Sequence, residues 1–210
     1  MFIVFEGIDG SGKTTHAKLF HEYLSKKGIK NEITREPTDS IIGKLISQVM
    51  QKEKSLDNTT LQLLFTADRS YHINNVIKKY LDSKETIICD RYLFSTLAYG
   101  SASGISRKWL FQINKRFPIP DVTIVLDVPP KLAMKRIQNR IKEQIHNSKP
   151  SSKVKNRLSL YEQLEFLAKV RNEYISIKKE FKNYFLVNAN ADKQKVQDRI
   201  IKIFNKIMLD

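Results

Sequence analysis

The feature that most constrains the fold of this 210-residue chain is a glycine-rich stretch near its start, Gly-Ile-Asp-Gly-Ser-Gly-Lys-Thr at residues 7–14. A short apolar run, Phe2–Phe5, precedes it and predicts a strand buried on both faces. A helical pattern with apolar residues on one side follows it, over about residues 13–27. Strand, glycine-rich turn, Lys-Thr and helix are the context in which a GxxxxGK[ST] string forms a phosphate-binding loop. The sequence therefore predicts a P-loop that binds nucleotide phosphates.

The residue types in this stretch suit a bound triphosphate. Gly7, Gly10 and Gly12 allow tight turns, so that successive backbone N–H groups can point at phosphate oxygens. The start of the following helix adds the positive end of its dipole. Lys13 is expected to bridge the β- and γ-phosphates, and the Thr14 hydroxyl is expected to hold Mg²⁺. The predicted ATP-binding residues are Gly7, Ile8, Asp9, Gly10, Ser11, Gly12, Lys13, Thr14 and Thr15.

Short apolar runs with strand character alternate with longer helical patterns along the whole chain. The runs lie at Phe2–Phe5, Ile29–Thr34, Thr86–Cys89, Val122–Leu126 and Tyr184–Val187. The helical patterns cover about 13–27, 39–51, 57–82, 93–115, 130–147, 157–181 and 192–208. This alternation predicts an α/β fold of the P-loop NTPase type, with five parallel strands and helices on both faces of the sheet. In such sheets ligands bind at the carboxyl ends of the strands.

Composition favours one globular domain over residues 1–210, because hydrophobic residues make up 41% of the chain. There is no 18-residue apolar run and no signal peptide, and the first predicted strand begins at residue 2, which leaves no room for a targeting segment. Cys89 is the only cysteine, so an intrachain disulfide is impossible and a reducing cytoplasm is expected. No membrane partner is expected. The four histidines show no metal-ligand spacing and are predicted to be structural or on the surface.

The net charge of +15 raises the question of nucleic-acid binding. The segment Lys131–Arg157, however, contains nine basic residues and only one acidic residue, Glu143, so that it alone carries a net charge of +8. Charge concentrated in one segment beside a phosphate-binding loop more simply serves phosphate chemistry. No nucleic-acid partner is expected, and polyanion binding stays open as a minority alternative.

Two groups of residues near the predicted strand ends add to the site. Asp90 directly follows a strand, where a carboxylate can reach Mg²⁺ or its waters, and Arg91 beside it is suited to a second phosphate. Phe65 and Arg69 are four residues apart on one helix face, where an aromatic ring can stack on a planar base and an arginine can bond its edge. Together they predict a second, nucleotide-like ligand beside the first.

A short basic lid is predicted over about residues 136–157. Arg136 and Arg140 share a helix face by their spacing, and the polar stretch after them contains Pro150 and is typical of a mobile loop. A basic helix end that leads into a flexible loop is what a closing lid needs. Arg136 and Arg140 are therefore the candidate catalytic cations of the lid, with Lys13 and Arg91 as the catalytic cations outside it.

The order of the segments GIDGSGKTT, TREP, LLFTADR, DRYLFSTLAY and a basic lid resembles thymidylate kinase over residues 1 to about 190. The resemblance implies ATP-dependent phosphorylation of dTMP to dTDP in dTTP biosynthesis, with Mg²⁺ as cofactor and dTMP and ATP as small-molecule partners. It also implies a homodimer.

The same resemblance implies roles for individual residues. Phe65 stacks on thymine, Arg69 bonds its edge, and Thr96 faces the pyrimidine with Ser95 beside it. Asp9 reaches the sugar 3′-hydroxyl or the metal, and Tyr99 lies against the deoxyribose. Arg91 grips the dTMP phosphate, with Arg35 in the same pocket, and adenine lies near Asn188–Ala191 with a lid arginine. The substrate-binding residues are then Asp9, Arg35, Pro37, Phe65, Arg69, Arg91, Ser95, Thr96 and Tyr99. The metal ligands are Thr14 and Asp90, partly through water.

The chain departs from the family pattern at two glycines. Gly100 stands where many bacterial members carry glutamine, and Gly10 stands where some members carry a catalytic arginine. The first departure leaves acceptor breadth open, and the second shifts the catalytic cation to the lid. One alternative is a related P-loop kinase with a different or broader acceptor, such as dUMP or other deoxynucleotides. Another is a P-loop NTPase switch or polynucleotide-binding module.

Overall fold

The computed structural model of the chain describes residues 1–51, 54–147 and 160–209. Within these residues five strands form one sheet, and all of their pairings are parallel. The strands are β1 Phe2–Glu6, β2 Asn31–Arg35, β3 Thr86–Asp90, β4 Val122–Asp127 and β5 Tyr184–Asn188. Their order in the sheet is β2-β3-β1-β4-β5. The predicted fold class is confirmed.

The helices in the described part of the chain lie close to the predicted positions. They are α1 Lys13–Lys26, α2 Ile41–Met50, α3 Asn58–His72, α4 Lys78–Asp82, α5 Leu93–Ala102, α6 Arg107–Asn114, α7 Pro130–Asn147, α8 Leu160–Ile177 and α9 Lys193–Ile207. A π-helical segment, Ile73–Ile77, joins α3 to α4. The predicted single helix over 93–115 is wrong, because Gly104, at a φ of +88°, separates α5 from α6.

Helices cover both faces of the sheet because the central strands are apolar throughout. All five residues of β1 are buried, and so are all five of β3. Since side chains alternate along a strand, Phe5 and Phe2 point to opposite faces. Phe5 packs against Phe20 of α1, with ring centroids 5.8 Å apart, whereas Phe2 packs against Tyr92 just before α5, at 4.9 Å. The site must therefore form at an edge of the sheet.

The register places the polar strand ends side by side at that edge. Asp90, the last residue of β3, pairs with Phe5 of β1 and with Arg35 of β2. Each strand ends one residue later than predicted, so Asp90 ends its strand and does not follow it; β2 also begins two residues later than predicted, at Asn31 and not at Ile29. None of the helices in the described part of the chain combines the length and the apolar character that a membrane crossing would need.

Candidate active site

The loop between β1 and α1 has a backbone that only glycine can supply at its key positions. Gly7, Gly10 and Gly12 have φ values of +136°, +79° and +101°. A Cβ atom at Gly10 would lie 2.3 Å from the carbonyl oxygen of Ala133, and one at Gly7 would lie 2.7 Å from that of Leu126. The loop is thus packed against α7 and β4 as well as turned sharply. This packing fixes the backbone of the loop.

Lys13 folds back across this loop. Its side chain is only 6% exposed, and Nζ donates hydrogen bonds to the carbonyls of Gly7, at 3.0 Å, and Ile8, at 2.9 Å. Burial and the nearby positive charge of Arg91 lower the pKa of Lys13 to about 8. A buried ammonium of this kind is stabilised by any anion that enters the loop.

Thr14 and Asp90 meet where α1 begins and β3 ends. The Thr14 hydroxyl donates to Asp90 Oδ2 at 2.5 Å, while the buried Asp90 Oδ1 has no hydrogen-bond partner among the described residues. A hydroxyl and a carboxylate with a spare oxygen are hard ligands of the type that Mg²⁺ binds together with waters and substrate phosphates. The residues present therefore fit a magnesium ion. The described residues contain no cluster of three or more His, Cys, Asp or Glu side chains that could hold a metal by itself.

Asp9, Arg91 and Tyr99 form a second polar cluster beside the loop. Arg91 Nη2 donates to Asp9 Oδ1 at 2.5 Å, and the Tyr99 hydroxyl donates to Asp9 Oδ2 at 3.0 Å. Burial alone would raise the pKa of Asp9, but the charges of Arg91 and Lys13 and these hydrogen bonds outweigh it and hold that pKa at about 2. The guanidinium of Arg91 also lies over the Tyr99 ring, 5.3 Å from its centroid. Asp9 therefore stays charged and fixes both neighbours.

Glu6, for which the sequence predicts no role, is linked to Arg91 through Ser95. Glu6 Oε1 accepts hydrogen bonds from the backbone N–H groups of Tyr92 and Ser95. The carboxylate of this β1 residue therefore caps the start of helix α5. Ser95 Oγ donates to Glu6 Oε2 at 2.6 Å and accepts from Arg91 Nη1 at 3.0 Å. Arg91 itself has a φ of +72°, a left-handed conformation that such contacts must stabilise. No local sequence pattern connects residues 6 and 95.

These groups line two adjoining cavities. The first, which we call the phosphate cavity, has a volume of about 430 Å³, and the second, the apolar cavity, about 350 Å³. Both are lined by Asp9, Glu36, Pro37 and Arg91, which therefore stand at the junction between them. Volumes of this size are typical of small-molecule sites.

The structure brings most of the predicted site residues to these cavities. The predicted residues that line the phosphate cavity are Asp9, Gly10, Gly12, Lys13, Thr14, Thr15, Arg35, Pro37, Asp90, Arg91, Arg136 and Arg140. Those that line the apolar cavity are Asp9, Pro37, Phe65, Arg69, Arg91, Ser95, Thr96 and Tyr99. The remaining three predicted residues, Gly7, Ile8 and Ser11, belong to the loop but line neither cavity.

Arg69 lies deeper than a simple base contact requires. It is 1% exposed, and its Nε and Nη2 both donate to Glu36 Oε2, at 3.0 and 2.8 Å. Its Nη1 donates to Asn114 Oδ1 at 2.5 Å, and Glu36 Oε1 in turn lies 3.1 Å from His72 Nδ1. The sequence predicts no role for Glu36 or for Asn114. The contact of Arg69 with a base edge stays a prediction, now with the arginine held in a buried network.

The basic face of α7 lies over the phosphate loop. Arg136 donates to the carbonyl of Ser11 at 3.4 Å and to that of Ala189, just after β5, at 3.1 Å. Arg140 is exposed and lines the phosphate cavity one turn further on. The part of the predicted lid from residue 148 to 157, which includes Lys149, Lys155 and Arg157, lies outside the described residues.

The structure has the features of the P-loop class of phosphate-binding α/β proteins. These are a parallel sheet, a glycine-rich loop between the first strand and the first helix, a lysine that crosses this loop, and a Thr–Asp pair next to it. The family model for thymidylate kinase matches residues 5–200. The chain is 38% identical to the probable thymidylate kinase of Pyrococcus abyssi over 214 aligned residues, which cover 99% of this chain and 97% of the relative. It is 40% identical to the probable thymidylate kinase 1 of Saccharolobus solfataricus, with 97% and 96% covered, and 35% identical to the probable thymidylate kinase of Methanocaldococcus jannaschii, with 99% and 97% covered. The chain belongs to the thymidylate kinase family.

Proposed function

We propose that this protein transfers the γ-phosphoryl group of ATP to dTMP and so makes dTDP. The observation that carries the proposal is the junction of the two cavities, where Arg91 and Asp9 line both a phosphate cavity and an apolar cavity. A kinase whose acceptor is itself a phosphate needs two anion sites that face each other, with a base pocket behind the second. Family membership and the names of the relatives point to the same reaction.

The acceptor pocket is proposed to be the apolar cavity. Its wall contains Phe65, which can stack on a pyrimidine, and Thr96, which can face the ring. Tyr99 is proposed to lie against the deoxyribose, and Asp9, held charged beside Arg91, to approach the 3′-hydroxyl. Arg69 stands at the base end of the cavity, where an N–H not used for Glu36 or Asn114 can bond the base edge.

The donor is proposed to lie in the phosphate cavity. Lys13 would leave the loop carbonyls to bind the β- and γ-phosphates, and the backbone N–H groups of the loop would hold the remaining oxygens. Thr14 and Asp90 would hold Mg²⁺, which shields the charge of the phosphates when it is bound. The hydrogen bond from Arg136 to the carbonyl of Ala189 supports an adenine position near Asn188–Ala191.

The reaction requires alignment and charge but no general base. A phosphate monoester has a second pKa of about 6, so the acceptor is largely a dianion at neutral pH. Arg91, with Arg35 nearby in the phosphate cavity, is proposed to hold this dianion in line with the γ-phosphorus. Lys13, Arg136 and Arg140 are proposed to offset the charge of the transferring group.

The assembly and the compartment are also proposals. The whole chain is proposed to act as one domain, with its lid over about 136–157. A homodimer is supported by exposed apolar side chains on α2 and α3, among them Ile41, which is 87% exposed, Leu63, which is 46% exposed, and Tyr71, which is 47% exposed. A cytoplasmic location is proposed, and it is supported by Cys89, the one cysteine of the chain, which is buried and forms no intrachain disulfide. Light scattering at micromolar concentration measures the mass and tests the dimer.

The function is tested with a panel of nucleoside monophosphates, each incubated with ATP and Mg²⁺ while ADP formation is followed. We expect dTMP to give the highest kcat/KM, and Lys13→Ala to abolish the reaction without preventing folding. A preference for AMP or GMP would overturn the proposed acceptor. Equal rates with dUMP and other deoxynucleotides would instead support the broader acceptor range.

A further inference from the structure

One buried polar atom in the apolar cavity has no partner. Gln62 is 4% exposed, it lines the cavity, and its Oε1 forms no hydrogen bond with any of the described residues. A buried amide oxygen without a donor is unfavourable in the free protein, and natural proteins keep few of them. Because Gln62 lines the cavity, a donor on a bound ligand would satisfy this acceptor.

The position of Gln62 on α3 relates it to the proposed base site. Gln62, Phe65 and Arg69 follow one another at spacings of three and four residues, so they share one face of the helix, and all three line the apolar cavity. Phe65 therefore lies one turn from each of the two polar side chains. A base stacked near Phe65 has Arg69 on one side and Gln62 on the other.

The neighbouring helix α5 has a glycine, Gly100, next to Gln62 and so presents no side chain to the cavity at this position. A Cβ atom at Gly100 of α5 would lie 3.4 Å from Gln62 Cδ and only 2.6 Å from Leu110 Cδ1. Position 100 is thus too crowded for a side chain to reach the cavity without displacing Leu110. In this part of the wall the amide side chain is that of Gln62 on α3.

We propose that Gln62 Oε1 accepts a hydrogen bond from the ring N3–H of the pyrimidine, which makes Gln62 a specificity-determining residue. This inference rests on the proposed function, because it needs a pyrimidine in the apolar cavity. Thymine and uracil carry a hydrogen on N3, whereas in cytosine N3 is an acceptor. Arg69 can only donate to the base, and Gln62 Oε1 can only accept from it. Thymine and uracil carry the acceptor at O4 and the donor at N3, whereas cytosine carries the donor at N4 and the acceptor at N3, so the order that matches Arg69 and Gln62 is that of thymine and uracil.

The test compares dUMP with dCMP, which differ only along that edge, in the full-length protein with ATP and Mg²⁺. We expect the wild type to favour dUMP. Gln62→Met keeps the length of the side chain but removes the acceptor, and it should lower kcat/KM for dUMP about 10-fold while dCMP changes little. Gln62→Asn withdraws the amide by one methylene and should shift the preference in the same direction. The KM for ATP should stay at the wild-type value in both variants.

Gln197→Met is the matched control, since Gln197 is also buried with an unpartnered amide atom but does not line the apolar cavity. It should leave the ratio of dUMP to dCMP unchanged. If both Gln62 variants keep the wild-type ratio, or if Gln197→Met changes it as much, the inference is wrong.

A measurement on the wild type keeps the inference testable even if the variants fail to fold. In the complex with dTMP labelled with ¹⁵N at N3, the imino proton should be protected from solvent exchange and shifted as in a hydrogen bond. An imino proton that exchanges as fast as in free dTMP would contradict the role of Gln62. A wild type that phosphorylates dTMP but passes neither test refutes only this inference, whereas a wild type inactive on dTMP refutes the proposed function.

Discussion

At the scale of single residues, the surroundings of Lys13 determine the pH range in which it carries the positive charge that binds phosphate. Burial and Arg91 lower the pKa of this lysine to about 8, so above that pH the free protein loses the positive charge. We predict that kcat/KM for ATP falls as pH rises through about 8, because deprotonated Lys13 binds phosphates poorly. The measurement is a pH profile from 6.5 to 9.5 for the wild type and for Lys13→Arg, which keeps its charge throughout. A profile of the wild type that stays flat to pH 9.5 would contradict the prediction.

The two arginines of α7 differ in what they contact, although the sequence predicted them as a pair. Arg136 is fixed by the carbonyls of Ser11 and Ala189, whereas Arg140 is exposed at the rim of the phosphate cavity. We predict that Arg140→Ala lowers kcat about 10²-fold with little change in KM, as expected for a contact made only in the transition state. Arg136→Ala should also raise the KM for ATP.

Lys135→Ala is the control for both variants, since Lys135 is exposed on the same helix and lines neither cavity. It should keep wild-type kinetics. Near-full kcat in both arginine variants would contradict this prediction and would indicate that Lys142, Lys155 or Arg157 is the catalytic cation of the lid.

The residue scale is also where sequence reasoning reached its limit. Lys13, Thr14 and Asp90 could be identified because short motifs specify them and because strand ends meet at one edge of a parallel sheet. Glu36 and Asn114 could not, because their roles depend on Arg69, which is 33 residues from one and 45 from the other along the chain. Gln62 could not be identified either, because its proposed role depends on a side-chain oxygen without a hydrogen-bond partner, which no sequence pattern shows.

At the scale of elements, the turn from β1 to α1 depends on backbone shape and on contact with α7 together. We predict that Gly10→Ala destabilises the fold far more than Gly28→Ala. Both glycines have positive φ, +79° and +73°, which costs an alanine about 1–2 kcal/mol. At Gly28 nothing lies within 4 Å of the added Cβ, whereas at Gly10 the Ala133 carbonyl lies 2.3 Å away. Urea denaturation measures both, and equal losses of unfolding free energy would show that the contact with α7 does not matter.

Helix α5 presents Tyr99 to the proposed sugar position, and we predict that its ring excludes ribonucleotides. The ring lines the apolar cavity, and its hydroxyl both donates to Asp9 Oδ2 at 3.0 Å and accepts from the Asp9 N–H at 3.1 Å. Exclusion of a 2′-hydroxyl by packing should give about 10²-fold discrimination between dUMP and UMP. Tyr99→Phe should keep this ratio and Tyr99→Ala should relax it, as measured by kcat/KM.

Two other results are possible for Tyr99. If the Phe variant loses the preference as fully as the Ala variant, the hydroxyl and its hold on Asp9 are responsible. If neither variant changes the ratio, Tyr99 serves only packing and the prediction is wrong.

The elements themselves were predicted well where the chain is apolar and locally regular. The five predicted runs correspond to the five strands of the described chain. Strands β1, β3 and β4 are almost wholly buried, as expected of strands covered on both faces, whereas β2, which ends the sheet on one side, has no fully buried residue. The break between α5 and α6 was missed, although Ser103-Gly104 offered the usual signal for the end of a helix. The hydrophobic period continues across that break, which is why periodicity alone joined the two helices.

At the scale of the whole molecule, the two cavities exist because three layers meet at the ends of β1 and β3. Glu6 in β1 accepts hydrogen bonds from the start of α5 and from Tyr174 of α8, which links the sheet to two helices that cover it. On the adjacent strand β3, Asp90 accepts a hydrogen bond from Thr14 of α1. The family could be recognised from motifs, and this recognition is confirmed, but the linkage between layers only became visible in three dimensions.

The last prediction concerns the stability of this linkage as a function of pH. Burial raises the pKa of Glu6 above its usual value of 4.5, against hydrogen bonds from Ser95 and the charge of Arg91. Between 4.5 and the higher folded value, the folded protein holds a proton that the unfolded chain has lost, so the wild type loses stability as pH rises through this window. Glu6→Gln resembles the protonated carboxyl and does not titrate, and its amide N–H groups can donate to the Ser95 and Tyr174 hydroxyls. The unfolding free energy of Glu6→Gln minus that of the wild type should therefore be larger at pH 8 than at pH 5. Urea denaturation at both pH values measures the difference, with Glu22→Gln at an exposed position of α1 as the control. A difference for Glu6→Gln that is constant with pH, or that decreases, would show that the folded protein does not favour protonated Glu6.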